Sequence, residues 1–137
     1  MKNLFIITSI LLSAFLVSCN NEDSRETPIV GTWKLVEYFG GNSADNIGWH
    51  PIDNGYTYTF NGDGTFTSTR FSYCTQGTYI LTDSKLTLKF DCTEPPGLSD
   101  NGVLIENFSW DEEYFILTPT YLFCDEGCAE KFEKQEN

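Results

Sequence analysis

Between Ile29 and Lys134 the chain alternates apolar and polar side chains, and turn-forming residues break the alternation roughly every 8 to 12 positions. No stretch in that span sustains a helical period. Successive side chains of a strand point to opposite faces, so each such segment must bury one face and leave the other wet. A single sheet cannot do that alone. The pattern therefore restricts the domain to a sandwich or a barrel.

Eight strands are expected, at Val30–Phe39, Gly55–Phe60, Thr65–Phe71, Cys74–Leu81, Lys85–Cys92, Val103–Trp110, Tyr114–Thr118 and about Cys128–Lys134. A long loop, Gly40–Asn54, follows the first, and a loop holding Pro95-Pro96-Gly97 precedes the sixth. Most other connections are short and favour antiparallel neighbours. A meander of this kind leaves two bare edges unless its first and last strands pair. Closure gives an eight-stranded antiparallel up-and-down barrel.

Alternation also predicts what faces inward. Tyr56, Tyr58 and Phe60 share a face, as do Leu86, Leu88 and Phe90. Trp33, Leu35, Glu37 and Phe39 form another set, and Phe66, Ser68 and Arg70 another. This phase turns Glu37 and Arg70 inward, where charges persist only when paired. Functionally, the pair would orient a polar ligand group. The preferred reading is that bulges or positions near the barrel mouth leave both in water.

Residues 1–18 read as an export signal: Lys2 precedes an uncharged apolar run from Leu4 to Val17, too short to span a bilayer comfortably. Leu16-Val17-Ser18-Cys19 resembles the lipobox of bacterial lipoproteins. That resemblance implies cleavage before Cys19 and acylation of Cys19, and several acyl chains anchor far more firmly than one. Residues 19–28 are polar and lack aromatics, as expected of a lipidated flexible tether; 29–134 form the domain and 135–137 a tail. Asn20 after the cysteine favours the outer membrane by analogy with proteobacterial sorting. Glu22-Asp23 resembles the surface-export signals of Bacteroidetes lipoproteins, so either the periplasmic side or the cell surface is expected.

The first predicted strand opens Gly31-Thr32-Trp33-Lys34-Leu35, which resembles the GxW signature of the lipocalins. Together with the lipobox, the hairpin Phe60-Asn61-Gly62-Asp63-Gly64-Thr65-Phe66 and the terminal segment Cys124–Phe132, the chain resembles the short lipocalin-like lipoproteins of Bacteroidetes. The resemblance implies a barrel of the calycin type, with Gly31 bending the chain and Trp33 plugging the closed end. It also implies a basic residue across Trp33, for which Lys131 and Lys134 are the candidates. The loop Gly48-Trp49-His50-Pro51 would lie over the open mouth, where Trp49 and His50 either touch a ligand or pack against the rim. The chain lacks the C-terminal helix of larger lipocalins, which puts a large cavity in doubt.

With Cys19 lipidated, four of the five cysteines remain, and an exported domain favours disulfides. A hairpin turning around Asp83 sets Cys74 opposite Cys92, leaving Cys124 with Cys128. The alternative ties the fourth or fifth strand to the C-terminal segment. A four-thiolate zinc site is disfavoured by the spacing and the oxidising compartment. Asn61–Thr65 lacks the acidic ligands of a calcium loop and reads as a turn.

A net charge of −12 argues against electrostatic binding to nucleic acid or an anionic membrane surface. With His50 the sole histidine and no nucleophile–base spacing or phosphate-binding loop, no catalytic residue, metal or cofactor is expected. The leading expectation is a monomeric, lipid-anchored module binding a small apolar or amphipathic molecule, with Trp49, His50, Tyr56, Tyr58, Arg70 and Glu37 as candidate contacts. The second is a protein-binding or inhibitor module that uses exposed loops around a solid barrel.

Overall fold

The computed structural model describes residues 29–41, 46–92, 100–125 and 127–136. Among them are nine strands: β1 (Gly31–Gly40), β2 (Gly48–Pro51), β3 (Thr57–Phe60), β4 (Thr65–Ser68), β5 (Gln76–Leu81), β6 (Lys85–Phe90), β7 (Val103–Asp111), β8 (Tyr114–Pro119) and β9 (Ala129–Lys134). From β3 onward each pairs antiparallel with the next, β3 pairs with β1, and β9 returns to β1. Eight strands thus close into the expected barrel. The signal segment, Cys19, the tether and the Pro95-Pro96-Gly97 loop lie outside the described residues.

β2 corrects the expectation of a loop at Gly40–Asn54. β3 covers only Gly31–Lys34 of β1 and would leave the Glu37–Gly40 edge bare; β2 fills it, from Glu37↔Pro51 to Gly40↔Gly48. Unpaired backbone groups at a sheet edge favour this capture. The four residues are too short a run to announce a strand by alternation.

The preferred reading, that a bulge or a mouth position leaves Glu37 and Arg70 in water, holds for Glu37 and is corrected for Arg70, whose side chain is 10% exposed inside the barrel. The β1–β9 register shifts between Leu35, opposite Phe132, and Glu37, opposite Lys131. Val36 is the extra residue of a β-bulge, and a bulge reverses the phase of everything after it. Glu37 therefore turns outward and pairs with Lys131 at 2.9 Å. Tyr38, not Glu37, continues the inner face.

The barrel has two unlike ends. Tight turns at Asn61–Gly64, Thr82–Ser84 and Glu112–Glu113 close one end, and the strand ends Gly40, Gly48, Ser68, Gln76, Phe90, Val103, Pro119 and Ala129, joined by longer connections, lie at the other, the loop end. At the first, Asp63 accepts hydrogen bonds from the Thr65 amide (3.0 Å) and hydroxyl (2.6 Å), which lower its pKa and set the hairpin as a turn. Trp33 plugs this turn end: it is buried, its Nε1–H donates to the Ile29 carbonyl at 2.8 Å, and its ring lies 5.5 Å from Trp110 and 5.7 Å from Phe115. Of the two lysine candidates, Lys134 lies across Trp33, with Nζ 5.7 Å from the ring centre. Gly31 has φ +130°, and a side chain there would crowd that lysine's Cε at 3.0 Å.

Above Trp33 the interior is filled. Phe60, Phe66, Leu86, Leu88, Leu104, Phe115, Leu117 and Phe132 are all buried, with Phe66 meeting Phe90 at 5.0 Å and Phe115 meeting Phe132 at 5.7 Å. Burying each such side chain contributes about 1.5–3 kcal/mol. Two disulfides, Cys74–Cys92 and Cys124–Cys128, brace the loop end. They are the two pairs preferred from the spacing.

Candidate functional site

The apolar filling stops at Tyr58. Above it, inside the loop end, the barrel holds a charged cluster built by five separate segments. Arg70 enters from the β4–β5 connection, Tyr121 from the β8–β9 connection, Glu106 from β7, Glu130 from β9, and Tyr56 and Tyr58 from β3 and the residue before it.

Arg70 is the hub. One guanidinium nitrogen, Nη1, donates to the Tyr58 hydroxyl at 3.2 Å and to Glu106 Oε1 at 3.3 Å. The other, Nη2, donates to the Tyr121 hydroxyl at 3.0 Å and lies 3.9 Å from Glu130 Oε2. Its central carbon stands 5.2 Å from the Tyr56 ring centre and 5.4 Å from that of Phe71. A planar fork with five donors suits such a site in a way an ammonium does not. Tyr121 in turn donates to Glu106 Oε1 at 2.7 Å, and Tyr56 donates to Glu130 Oε2 at 2.7 Å.

Burial sets the electrostatics. The Glu106 side chain is fully buried, whereas Arg70 and Glu130 keep 10% and 20% of theirs exposed, so the cluster reaches solvent. Burial pushes the Glu106 carboxyl above the usual carboxylate range, although the Tyr121 hydrogen bond and the Arg70 charge pull it down. Burial pushes the Tyr58 hydroxyl up to about 12, and that of Tyr56 well above its usual value. Both phenols stay neutral at physiological pH, Tyr56 donating to Glu130 and Tyr58 accepting from Arg70. Among the described residues, Glu106 Oε2 is buried and accepts no hydrogen bond.

The sequence candidates are divided by this geometry. Arg70, Tyr56 and Tyr58 meet in the cluster. Glu37 does not: Arg70 takes Glu106 and Glu130 as partners instead. Trp49 and His50 do not form a joint lid. They are successive residues of β2 and so point to opposite faces. Trp49 lies on the outer wall, with its ring centre 5.4 Å from that of Phe39 and under the Lys131 ammonium at 4.5 Å. His50 stacks on Tyr38 at 5.0 Å, and its Nε2 lies 3.1 Å from both the Gly40 and Asn46 carbonyls, so that nitrogen carries the proton.

Sequence reasoning does not single out Glu106, Glu130 or Tyr121. The signal for Glu106 is its phase with the apolar Leu104 and Phe108, and for Glu130 its phase with Phe132. Tyr121 sits in a loop and has no periodic signal.

Elsewhere, a groove of about 460 Å³ crosses the outer wall of β4–β6, lined by residues including Thr65, Thr67, Gln76, Thr78, Lys89 and Asp91. It is open, its lining is mixed polar and apolar, and it lies away from Trp49. Among the described residues no group of three His, Cys, Asp or Glu side chains is placed to hold a metal ion.

Comparison with known proteins bears on the fold. A model of the lipocalin-like domain matches residues 29–122. A lipocalin-like protein from Bacteroides uniformis ATCC 8492 superposes with a TM-score of 0.52 at 16% identity, covering 79% of this chain and 99% of that one. A DUF4847 family protein from Bacteroides vulgatus ATCC 8482 gives a TM-score of 0.51 at 21% identity, covering 82% and 99%. An uncharacterized protein from Bacteroides eggerthii DSM 20697 gives 0.53 at 16% identity, covering 78% and 99%. No curated protein matches the chain.

Proposed function

Since the chain belongs to the lipocalin-like domain family, a barrel generally used for binding rather than catalysis, we propose that it is a lipid-anchored binding module of the bacterial cell envelope that holds a small amphipathic molecule at its loop end. The observation that carries this reading is the position of the Arg70–Glu106–Glu130 cluster. Charges inside a barrel cost free energy that apolar residues of similar volume would not, so a purely structural interior has little use for them. Here they sit above a solid apolar floor and next to solvent. A ligand would set its polar end against the cluster and its apolar part against the loops; the packed floor rules out deep insertion. The anchor is the acylated Cys19 of Leu16-Val17-Ser18-Cys19, in the outer membrane, with the domain on its periplasmic or outer side. Acyl chains must hold it there, because a net charge of −12 is repelled by anionic lipid.

Native mass spectrometry of protein purified from its host tests the binding reading. A co-purifying small molecule, lost when Arg70 is replaced, is expected; a bare protein mass would count against it. For the anchor, Cys19→Ser should abolish incorporation of labelled palmitate, and continued labelling would refute it.

Exposed apolar side chains at the same end support the second reading, a protein-binding module. Phe123 is 95% and Tyr73 64% exposed, and each lies close to a disulfide-bonded cysteine. If no small molecule is found, Phe123→Ser and Tyr73→Ser should weaken capture of an envelope partner without changing thermal stability.

A further inference from the structure

We propose that the cluster inside the loop end selects ligands with a cationic, hydrogen-bond-donating head, a protonated amine, and that Glu106 Oε2 is the atom that receives it. The inference rests on the ligand-binding reading above.

Arg70 supplies one positive charge, and Glu106 and Glu130 supply two carboxylates, so the cluster is acidic by one charge when both are ionised. The donors with assigned partners do not reach Glu106 Oε2. The two terminal nitrogens of Arg70 go to Tyr58, Glu106 and Tyr121, the Tyr121 hydroxyl goes to Glu106, and the Tyr56 hydroxyl goes to Glu130. Both donors that reach Glu106 converge on Oε1. Oε2 of the same fully buried carboxylate receives none among the described residues. A buried carboxylate oxygen without a donor is costly, and a charge-assisted hydrogen bond is the strongest way to satisfy it.

An ammonium head supplies both missing things, a donor and a positive charge. A carboxylate or phosphate head supplies neither and would meet Glu106 and Glu130. An alcohol supplies a donor without the charge.

The test compares three probes of equal chain length, decylammonium, decanol and decanoate, titrated into the purified protein at neutral pH by calorimetry. Decylammonium should bind at least about tenfold more tightly than either of the others. Glu106→Gln, which keeps the shape and removes the charge, should erase that preference by weakening decylammonium at least about tenfold. A wild-type measurement stands beside the variant: the carbon NMR signal of the Glu106 carboxyl should shift with decylammonium and stay put with decanoate. Equal or tighter binding of decanoate, or a preference for the amine that survives Glu106→Gln, would overturn this inference and leave ligand binding standing. If none of the three binds, the ligand-binding reading fails with it.

Discussion

Arg70 holds together more of the loop end than any other side chain described. Four side chains lose a partner if it is removed, and Glu106 is left as a buried carboxylate with one tyrosine. Arg70→Met should therefore lower stability by about 3–5 kcal/mol, the cost of breaking a buried pair from one side. Arg70→Lys should recover only part of it, because an ammonium cannot reach Tyr58, Tyr121 and Glu106 with one fork. Urea denaturation of the three proteins measures both effects. Glu106 gives the pH dependence. Its folded pKa lies above the ordinary 4.5, so over the window between that value and the raised one the folded state binds more protons than the unfolded state. Stability from this group is thus lost as pH rises through the window. Denaturation midpoints of wild type and Glu106→Gln, followed from acid to neutral pH, should diverge in the variant's favour. Parallel profiles would contradict the assignment.

At the scale of the strands, a close backbone approach lies in β5. Gly77 faces Phe66 and Phe90 across the neighbouring strands, and a Cβ there would collide with the Lys89 carbonyl oxygen and stand 2.9 Å from the Phe66 ring. Gly77→Ala should destabilise by about 1–3 kcal/mol through overpacking, read as a lowered Tm. Cys74–Cys92, which joins residues 18 positions apart, should contribute about 3 kcal/mol by restricting the unfolded chain, measured with the Cys74→Ala/Cys92→Ala protein. These elements also explain what the sequence reveals. Period-two alternation and turn residues survive averaging over a strand, so the eight barrel strands, their order and the Asp83 hairpin that pairs the cysteines are legible. A bulge is a single extra residue with no composition of its own, and Val36 looks like any other strand valine. Strict alternation without it turns Glu37 inward as a partner for Arg70; the preferred expectation of a bulge fits Glu37, but nothing in the sequence marks Val36 as its place. The true partners lie on β7 and β9, more than thirty residues away in sequence, and only the closure of the barrel brings them to Arg70.

The molecule as a whole divides into a packed, apolar turn end and a charged loop end. Trp33 and the buried aromatics make the turn end a plug, and the disulfides and charged cluster lie at the other end, where the ligand is proposed to bind. The net charge of −12 adds a general field that favours cations over anions at any opening, screened by salt over about 10 Å. The most direct measurement of the central claim is amide NMR mapping of decylammonium on the isotope-labelled protein. The account predicts shifts confined to the loop end, at residues around Tyr56, Arg70, Glu106, Tyr121 and Glu130, with the turn end around Trp33 and the outer groove at Thr67, Thr78 and Lys89 unchanged. Shifts centred on that outer groove, or no shifts at saturating probe, would contradict it.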